Sequence, residues 1–386
     1  MRVEDFGENA PGKLLRVHDS TVGDYWSFDP DPLPPSLDLD VDTVNLLATA
    51  ERAVGELNGI GRMLPYPHLL IRPFLRREAV LSSRIEGTVT NLEQLLLFEA
   101  EPANRSSSSD VREVVNYVRA MEYGLERLQD LPVSLRLIRE VHEYLMAGVR
   151  GQSNNPGEFR SVQNYIAGAG LSIQQARYVP PPVSEMNQAL ADLETFIHRP
   201  TDIPFLIQLA LIHYQFEAIH PFDDGNGRTG RLLLSLLMCE REYISQPLLY
   251  LSGFLERNRD TYLDCLLGVS RQCDWLSWIN FFLVAVSSQA KDAISRTSQL
   301  MKLWQDYRSS LQIARGSSLT LQLADMLFAT PAVTAPYVQR ELGVTQVSAR
   351  RAIERLEKDG ILREATGQRR NRVYIAPEVF SILDAE

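Results

Sequence analysis

Three glycines, Gly225, Gly227 and Gly230, lie in one short loop, and the chain has a helical pattern on both sides of it. Before the loop, apolar residues follow a single helical stripe: Phe205, Leu206, Leu209, Ile212, Phe216 and Ile219. Pro204 precedes the stripe, and the first turn of a helix tolerates proline. The spacing G-x-G-x-x-G suggests a dinucleotide-binding turn, but that turn follows a strand. The pattern therefore predicts helix, loop and helix and argues against a Rossmann site. The sequence also has no phosphate-binding P-loop run.

The loop has the features of an anion site. Gly225, Asn226 and Gly227 open the second helix, where N–H groups and the helix dipole attract negative charge. Glycine lets the backbone approach a phosphate closely. Arg228 and Arg231 are three residues apart on the same helix, and two guanidinium groups suit a polyphosphate.

Two further residues of the loop can carry chemistry. Asp224 can hold a Mg²⁺ that keeps waters and bridges phosphate oxygens. His220 ends the first helix and can act as a general base near neutral pH. A histidine alone more often has a structural than a catalytic role, and an arginine pair alone more often lies on a solvent-exposed face than in a binding site. Their combination around three glycines is what indicates a functional site.

Composition and charge exclude several classes of protein. The 386 residues are 45% hydrophobic and carry a net charge of −10. This charge excludes a protein whose whole surface is basic and binds nucleic acid. The three cysteines, Cys239, Cys265 and Cys273, have no spacing typical of a zinc site or a disulfide framework. The N-terminal residues lack a secretory pattern, and the longest apolar runs are too short to span a membrane. A soluble, cytoplasmic protein is expected.

Most of the chain is predicted to be helical. The first forty residues are rich in Pro and Asp, which favours extended or irregular backbone. A small hairpin is predicted at Gln163–Ile166 and Arg177–Val179, because Gly, Asn and Pro bracket two β-prone pieces. Helical periodicity predicts the following helices: one from Val41, then Phe74–Ser83, Asp110–Leu128, Leu135–Met146, Glu185–His198, Phe205–Ile219, Arg228–Glu242, Arg259–Val269 and Leu276–Gln305. Ser106–Ser109 is predicted to be a surface loop.

The twelve residues from His220 to Arg231, HPFDDGNGRTGR, match every defined position of the Fic family signature H-P-F-x-[D/E]-G-N-G-R-x-x-R. The GEFR run at 157–160, the YVPPP run at 178–182 and the segment 247–262 also resemble Fic proteins. The resemblance covers about Val41 to Gln289. It implies a mainly α fold, with a helical core and a short β-hairpin flap. It also implies transfer of AMP from ATP to a hydroxyl of a target protein, with Mg²⁺ as the metal.

The resemblance assigns a role to each matching residue. His220 would deprotonate a Ser, Thr or Tyr hydroxyl of the target, and Asp224 would bind Mg²⁺. Arg228 would contact the β-phosphate region and Arg231 the γ-phosphate, while the flap would clamp the target backbone by strand addition. The implied ATP-binding set is Glu86, Ile166, Ala167, Gly168, Gly225, Asn226, Gly227, Arg228, Thr229, Gly230, Arg231, Tyr262 and Leu263.

Two positions bear on specificity. Many relatives have Tyr-Tyr where this chain has Tyr262-Leu263, so Leu263 departs from the family pattern beside the adenine. Doc-like relatives that phosphorylate their targets have Lys at the position of Gly227, so Gly227 favours nucleotidyl transfer. The phosphate loop does not read the base, which leaves the identity of the nucleotide open.

The run from Ser82 to Gly87, SSRIEG, resembles the inhibitory motif [S/T]-x-x-x-E-[G/N] of self-restrained Fic proteins. In such proteins the glutamate pairs with the last arginine of the signature, so Glu86 would withdraw Arg231 from the γ-phosphate. ATP would then bind in a pose unsuited to in-line attack. In some relatives the same glutamate supports removal of AMP, and the sequence leaves that reverse reaction open.

The C-terminal segment differs in charge from the rest. The segment from Pro331 to Pro377 contains nine basic and five acidic residues, so its net charge is positive while that of the whole chain is negative. Such a change in the sign of the charge suggests a separate module. Val333 to Ile375 resembles a winged helix-turn-helix, with helices at Tyr337–Leu342 and Thr345–Lys358 and a basic wing at Gln368–Arg372. Arg350, Arg351 and the wing arginines can meet DNA phosphates, although such modules also dock proteins.

The predicted domains are an N-terminal extension with the inhibitory helix (1–109), a catalytic core (110–290), a linking helix (291–316) and the winged module (317–386). The function expected is autoinhibited AMP transfer to a target protein and to the chain itself. The alternative is a DNA-binding regulator that uses the Fic core as a nucleotide sensor. The complete set of signature residues favours the first. A protein target, DNA and a homodimer partner are expected partners, and a membrane is not.

Overall fold

The computed structural model describes residues 1–64, 66–100, 109–149, 155–168, 170–314, 316–368 and 371–385. The protein is mainly helical, which confirms the predicted fold class. The helices are α1 Val41–Met63, α2 His68–Ile85, α3 Leu92–Ala100, α4 Ser109–Arg127, α5 Leu135–Met146, α6 Val183–His198, α7 Phe205–Ile219, α8 Asn226–Glu240, α9 Ser252–Arg257, α10 Arg259–Gln272, α11 Trp275–Ile313, α12 Ser318–Ala329, α13 Ala335–Leu342, α14 Gln346–Lys358 and α15 Pro377–Asp384. Within the described ranges, no helix is both long and apolar enough to cross a membrane.

The chain forms two compact units. The first comprises Met1–Val54, Arg119–Tyr243 and Leu251–Ser288. The second comprises Gly55–Val118, Ile244–Tyr250 and Gln289–Glu386. Each unit draws on separate stretches of sequence, so its core depends on contacts between residues that are distant along the chain.

The first unit is built around α7, which is buried on nearly all sides. The indole of Trp278 donates a hydrogen bond to the carbonyl of Ala210 at 2.9 Å. The hydroxyls of Tyr214 and Ser270 are 2.9 Å apart in the same core. A helix that is apolar all round is a core helix, and here it serves as the support for the loop that follows it.

The N-terminal segment contains a regular hairpin that the sequence analysis did not predict. Strands β1, Gly12–Val17, and β2, Tyr25–Pro30, pair antiparallel with Leu14 opposite Phe28. The amide of Phe28 donates to the carbonyl of Val179 at 2.9 Å, which attaches the hairpin to the flap region. The Pro-rich segment overlaps the end of β2 at Pro30, and its composition concealed the two strands.

The predicted flap hairpin is reduced to one antiparallel bridge, between Ile166 and Tyr178. The amide of Ile166 donates to the carbonyl of Tyr178 at 2.8 Å. The amide of Arg177 donates to the carbonyl of Ile166, also at 2.8 Å. The described residues around the flap form no strand longer than this bridge. Ser106, Ser107 and Ser108 of the predicted surface loop lie outside the described residues.

In the second unit, α2 ends in a turn fixed by hydrogen bonds. The amide of Gly87 donates to the carbonyl of Arg84 at 2.9 Å, and that of Thr88 donates to the carbonyl of Ser83 at 3.1 Å. This pair of bonds is the Schellman motif, whose C′ residue is left-handed. Gly87 has φ +91°, which explains why glycine follows Glu86.

The winged module follows the predicted helix-turn-helix. Gly343 ends α13 with φ +63°, and the side chain of Thr345 caps α14 by accepting from the amide of Ser348 at 3.2 Å. Strands β3 Ala332–Val333, β4 Arg363–Glu364 and β5 Tyr374–Ile375 form a sheet in the order β3-β5-β4. Arg369 and Arg370 of the predicted wing lie outside the described residues.

A line of charged groups joins α2 to the last helix within the second unit. Arg77 on α2 and Arg296 on α11 both pair with Asp292, at 3.4 and 2.8 Å. The guanidinium of Arg296 also donates to the carbonyls of Leu383, at 3.3 Å, and Ala385, at 2.7 Å, at the end of α15. Because Arg296 is only 4% exposed, these bonds replace its hydration.

Replacing Arg296 should therefore loosen α15. We expect Arg296→Met to lower the free energy of unfolding by about 2 to 4 kcal/mol, because it removes a buried, hydrogen-bonded charge. We expect amide exchange to rise first in α15. The matched control is Arg136→Met, whose side chain is 68% exposed beside Glu140 and should cost below about 1 kcal/mol. Denaturant unfolding and hydrogen exchange measure both, and equal effects would contradict the assignment.

Candidate active site

The turn between α7 and α8 begins and ends with left-handed residues. His220 caps α7 with φ +50°, and its amide donates to the carbonyl of Phe216 at 3.0 Å. Gly225 precedes α8 with φ +79°. A Cβ on Gly225 would lie 2.9 Å from the sulfur of Met146, so both the conformation and the space require glycine.

Asn226 closes this turn with its side chain. Its Oδ1 accepts from the amide of Phe222 at 2.8 Å, and its Nδ2 donates to the carbonyl of Phe222 at 2.7 Å. Asn226 is only 2% exposed, so the two bonds are shielded from water. The loop backbone is thereby held at the N-terminus of α8, where the first N–H groups have no partner within the helix. This end of α8 can bind an anion.

The backbone of His220 is held by side chains from the segment before the flap. Arg160 donates from Nε to the carbonyl of His220 at 3.0 Å and from a terminal nitrogen to that of Pro181 at 2.5 Å. Asn164 donates to the carbonyls of His220, at 3.2 Å, and Phe222, at 2.8 Å. Burial lowers the pKa of Arg160 to about 10, so the guanidinium is still charged at neutral pH.

The imidazole of His220 has a defined tautomer. Its Nδ1 lies 3.3 Å from the carbonyl of Glu217, and a carbonyl only accepts hydrogen bonds. Nδ1 therefore carries the proton, and Nε2 of the neutral ring has the lone pair. This arrangement orients a histidine as a general base.

The two signature arginines are buried rather than solvated. Arg228 and Arg231 are each 3% exposed on α8. Arg228 approaches Oδ1 of Asp224 at 3.4 Å and the sulfur of Met146 at 3.8 Å. Beside Arg231, burial lowers the pKa of His213 to about 3, and the charge of Arg231 adds to the effect. His213 is therefore neutral and does not place a second positive charge beside Arg231.

The residues around Asp224 fit a magnesium ion that arrives with a nucleotide. The side chain of Asp224 is 51% exposed, and its Oδ1 accepts from the amide of Gly225 at 2.6 Å. Among the described residues, no group of three or more His, Cys, Asp or Glu side chains could hold a resident metal ion. One carboxylate with access to solvent is the donor set of a Mg²⁺ that keeps its waters and takes phosphate oxygens.

An apolar pocket of about 100 Å³ lies between the flap and α10. Leu263 lines it together with Ile166, Leu266 and Leu267. Tyr262 is instead 2% exposed, and its hydroxyl lies 2.7 Å from Nε2 of His213 in the core. The structure thus brings Leu263, and not the ring of Tyr262, to the pocket wall.

The remaining predicted ATP contacts divide into two groups. Ala167 and Gly168 continue the flap beyond its bridge and are partly or fully exposed. Thr229 and Gly230 are buried on α8, and a Cβ on Gly230 would lie 2.7 Å from Oε1 of Glu217. Gly230 therefore allows α8 to approach α7 closely, which is a packing role.

The turn that carries Glu86 is hydrogen-bonded within the second unit. Ser82 and Ser83 are buried, while Glu86 is exposed at the end of α2. Beyond it, the hydroxyl of Thr88 donates to Glu113 at 2.9 Å, and the amide of Val89 donates to Asp110 at 2.9 Å. These bonds attach the backbone that follows Glu86 to α4.

Arg160, Asn164 and His142 contact the turn directly, and no role was predicted for them. Arg160 ends the GEFR run, so its position was visible but its function was not. A buried histidine on a helix, such as His142, gives no signal of its own before the structure places its partners.

Known families match the chain in three stretches. The profile described as Fic/DOC family N-terminal matches residues 44–126, and that of the Fic/DOC family matches residues 132–238. Residues 44–126 and 132–238 thus match the Fic/DOC family. A third profile, described as an HTH DNA binding domain, matches residues 321–374 and confirms the predicted winged module.

Two relatives show the extent of the similarity. A probable protein adenylyltransferase of Aquifex aeolicus is 27% identical over 208 residues, which are 51% of this chain and 57% of that protein. The protein adenylyltransferase Fic of Drosophila grimshawi is 29% identical over 164 residues, 41% of this chain and 32% of that protein. The match thus covers between about a third and just over half of these relatives.

Solved structures share the fold. A Fic family protein from Desulfovibrio desulfuricans superposes with a TM-score of 0.58 and 22% identity, covering 89% of this chain and 98% of that one. Residues 134–508 of Fic-1 from C. elegans give a TM-score of 0.52 and 22% identity, covering 67% of this chain and 74% of that one. These similarities support the helical fold.

A side chain at Gly225 should disable the turn. Gly225→Ala should lower the free energy of unfolding by about 2 to 4 kcal/mol, because a left-handed alanine costs about 1 to 2 and the Met146 contact adds overpacking. The control, Gly170→Ala, has φ +78° but open space around the new Cβ. It should cost only about 1 to 2 kcal/mol. Denaturant unfolding compares them, and equal costs would show that the space at Gly225 is unimportant.

Proposed function

We propose that the chain transfers AMP from ATP to a hydroxyl side chain of a target protein, and to itself, and that Glu86 restrains this transfer. The observation that carries the proposal is the turn between α7 and α8. It combines His220, whose Nδ1 lies 3.3 Å from the carbonyl of Glu217, with the N-terminus of α8 and two buried arginines. The relatives named as protein adenylyltransferases support the same reaction.

In this proposal the phosphates lie at the N-terminus of α8. The backbone N–H groups of the first turn bind the anion, and Arg228 and Arg231 balance its charge in a site shielded from water. Asp224 would hold Mg²⁺, which neutralises phosphate charge and polarises the phosphoryl group when bound. The adenine would lie in the pocket lined by Leu263, where an apolar wall replaces a second tyrosine ring.

His220 would act on the nucleophile. Its Nε2 takes the proton of the target hydroxyl while the hydroxyl oxygen forms a bond to the α-phosphorus of ATP. The bond from that phosphorus to the bridging oxygen breaks, and pyrophosphate leaves. Arg160 and Asn164 keep the histidine backbone in its left-handed conformation during this step.

The flap would position the target. The Ile166–Tyr178 bridge leaves the residues beyond it exposed, and Ile166 is itself 39% exposed. An extended target segment can add to such an edge through backbone hydrogen bonds. Such backbone hydrogen bonds would position the target hydroxyl without recognising the side chains next to it in the target sequence.

Removing the charge of Glu86 should release the restraint. Glu86→Gly and Glu86→Gln should each raise auto-modification by at least about tenfold, equivalent to about 1.4 kcal/mol in the barrier. The control Glu122→Gln, at an exposed position on α4, should label like the unmodified chain. Incorporation of α-labelled ATP with Mg²⁺ measures the rate. His220→Ala added to Glu86→Gly should remove the label, and Glu86 variants no faster than the unmodified chain would contradict the restraint.

A second candidate function is DNA binding by the winged module. On α14, Ala349, Ala352, Ile353 and Leu356 are buried, which leaves Val347, Arg350 and Arg351 exposed on the outer face. This is the arrangement of a recognition helix, with arginines for phosphates or base edges and an apolar side chain for a thymine methyl group. The match to an HTH DNA binding domain supports it.

This second function predicts salt-dependent retention of DNA. Arg350→Ala with Arg351→Ala should weaken duplex binding about 10-fold or more and reduce the salt dependence, since each phosphate contact contributes to the slope. Arg136→Ala, on α5 in the other unit, is the control. Electrophoretic retardation at several salt concentrations measures the effect. Equal binding by all three proteins would exclude α14 as the DNA-binding helix.

A further inference from the structure

His142 on α5 contacts the loop from a position that the family signature does not include. It is 3% exposed, and its ring is stacked on that of Phe222, with centroids 3.7 Å apart and planes inclined by 5°. Its two ring nitrogens face different parts of the chain. Nδ1 lies 2.9 Å from the amide of Gly157, and Nε2 lies 3.0 Å from the carbonyl of Asp224.

These partners fix the protonation of the ring. The amide of Gly157 can only donate, so Nδ1 accepts and carries no proton. The carbonyl of Asp224 can only accept, so Nε2 carries the proton and donates it. His142 is therefore neutral and in a single tautomer, and it cannot serve both partners in any other protonation state.

The bond to Asp224 acts at the point where the loop enters α8. The carbonyl of Asp224 belongs to the peptide that leads to Gly225, whose Cα is within reach of the imidazole, since a Cβ there would lie 3.4 Å from Nε2. Holding this peptide fixes the direction of the Asp224 carboxylate and the start of the helix together. Asn226 holds the loop backbone at Phe222, and His142 holds it at Asp224.

We infer that His142 is a positioning residue of the phosphate loop, and that its Nε2–H bond to the Asp224 carbonyl sets the affinity for a magnesium-bound nucleotide. The inference rests on the proposed function, because it takes this loop to be the phosphate site. His142 does not touch the reacting groups. It acts through the Asp224–Gly225 peptide, as residues behind a metal ligand commonly do.

Two substitutions separate the two hydrogen bonds of His142. The side-chain amide of glutamine reaches the position of Nε2, so His142→Gln can still donate to Asp224. That of asparagine reaches the position of Nδ1, so His142→Asn can still accept from Gly157 but loses Asp224. Both remove the stacked ring, so both should lower the melting temperature by similar amounts. A purely structural role would move both variants alike.

The test measures the affinity of the full chain for ATP with Mg²⁺ by titration calorimetry. We expect His142→Asn to lose about 10- to 100-fold in affinity, and His142→Gln to stay within about threefold of the unmodified chain. Equal losses, or a larger loss in His142→Gln, would overturn the inference. Because binding is measured without turnover, a chain that binds ATP but transfers no AMP would contradict the proposed function alone.

A second measurement needs no variant. Nitrogen-15 NMR of ring-labelled histidines in the unmodified chain reports the tautomer, with His142 assigned through its hydrogen bond to the amide of Gly157. We expect a neutral ring protonated at Nε2 at neutral pH. A ring protonated at Nδ1, or a doubly protonated ring, would overturn the inference even where both variants fail to fold.

Discussion

The side chain of Asn226 holds together the turn on which the rest of the site depends. It makes two hydrogen bonds to one residue, Phe222, and both are buried. An α-helix that ends and another that begins within six residues would otherwise leave several backbone groups unpaired. The asparagine satisfies the amide and the carbonyl of Phe222. The buried helix α7 gives the turn a fixed base.

The supports of this turn come from distant parts of the sequence. Arg160 and Asn164 hold the carbonyl of His220, and His142 holds that of Asp224. Each is a side chain that bonds to the backbone of the loop, so residues outside the loop set its position. The side chain of Asp224 is 51% exposed.

Much of the fold could be predicted from the sequence where local signals agree. The bounds of α5 and α7 match the predicted ranges, because a capping serine precedes one and a proline precedes the other. The start of α2 was predicted too late, since Pro73 lies inside the helix and its apolar pattern was read only from Phe74. The N-terminal hairpin was missed because β2 runs directly into the Pro-rich segment. Its attachment to Val179 depends on a contact about 150 residues away, which no local pattern reports.

The candidate site divides in the same way. Residues within the signature were recognisable because they are consecutive, from His220 to Arg231. His142, Arg160 and Asn164 could not be assigned roles, since their importance lies in which carbonyl groups they reach. The ring of Tyr262 is turned into the core by its bond to His213, and only the structure distinguishes it from Leu263 at the pocket.

The most direct test of the central claim is which phosphate of ATP becomes attached to protein. The Glu86→Gly chain would be incubated with Mg²⁺ and ATP labelled at either the α- or the γ-phosphorus. We expect the α label to stay on the protein and the γ label to leave in pyrophosphate. Retention of the γ label instead would show phosphoryl transfer and would contradict the proposed reaction at this site.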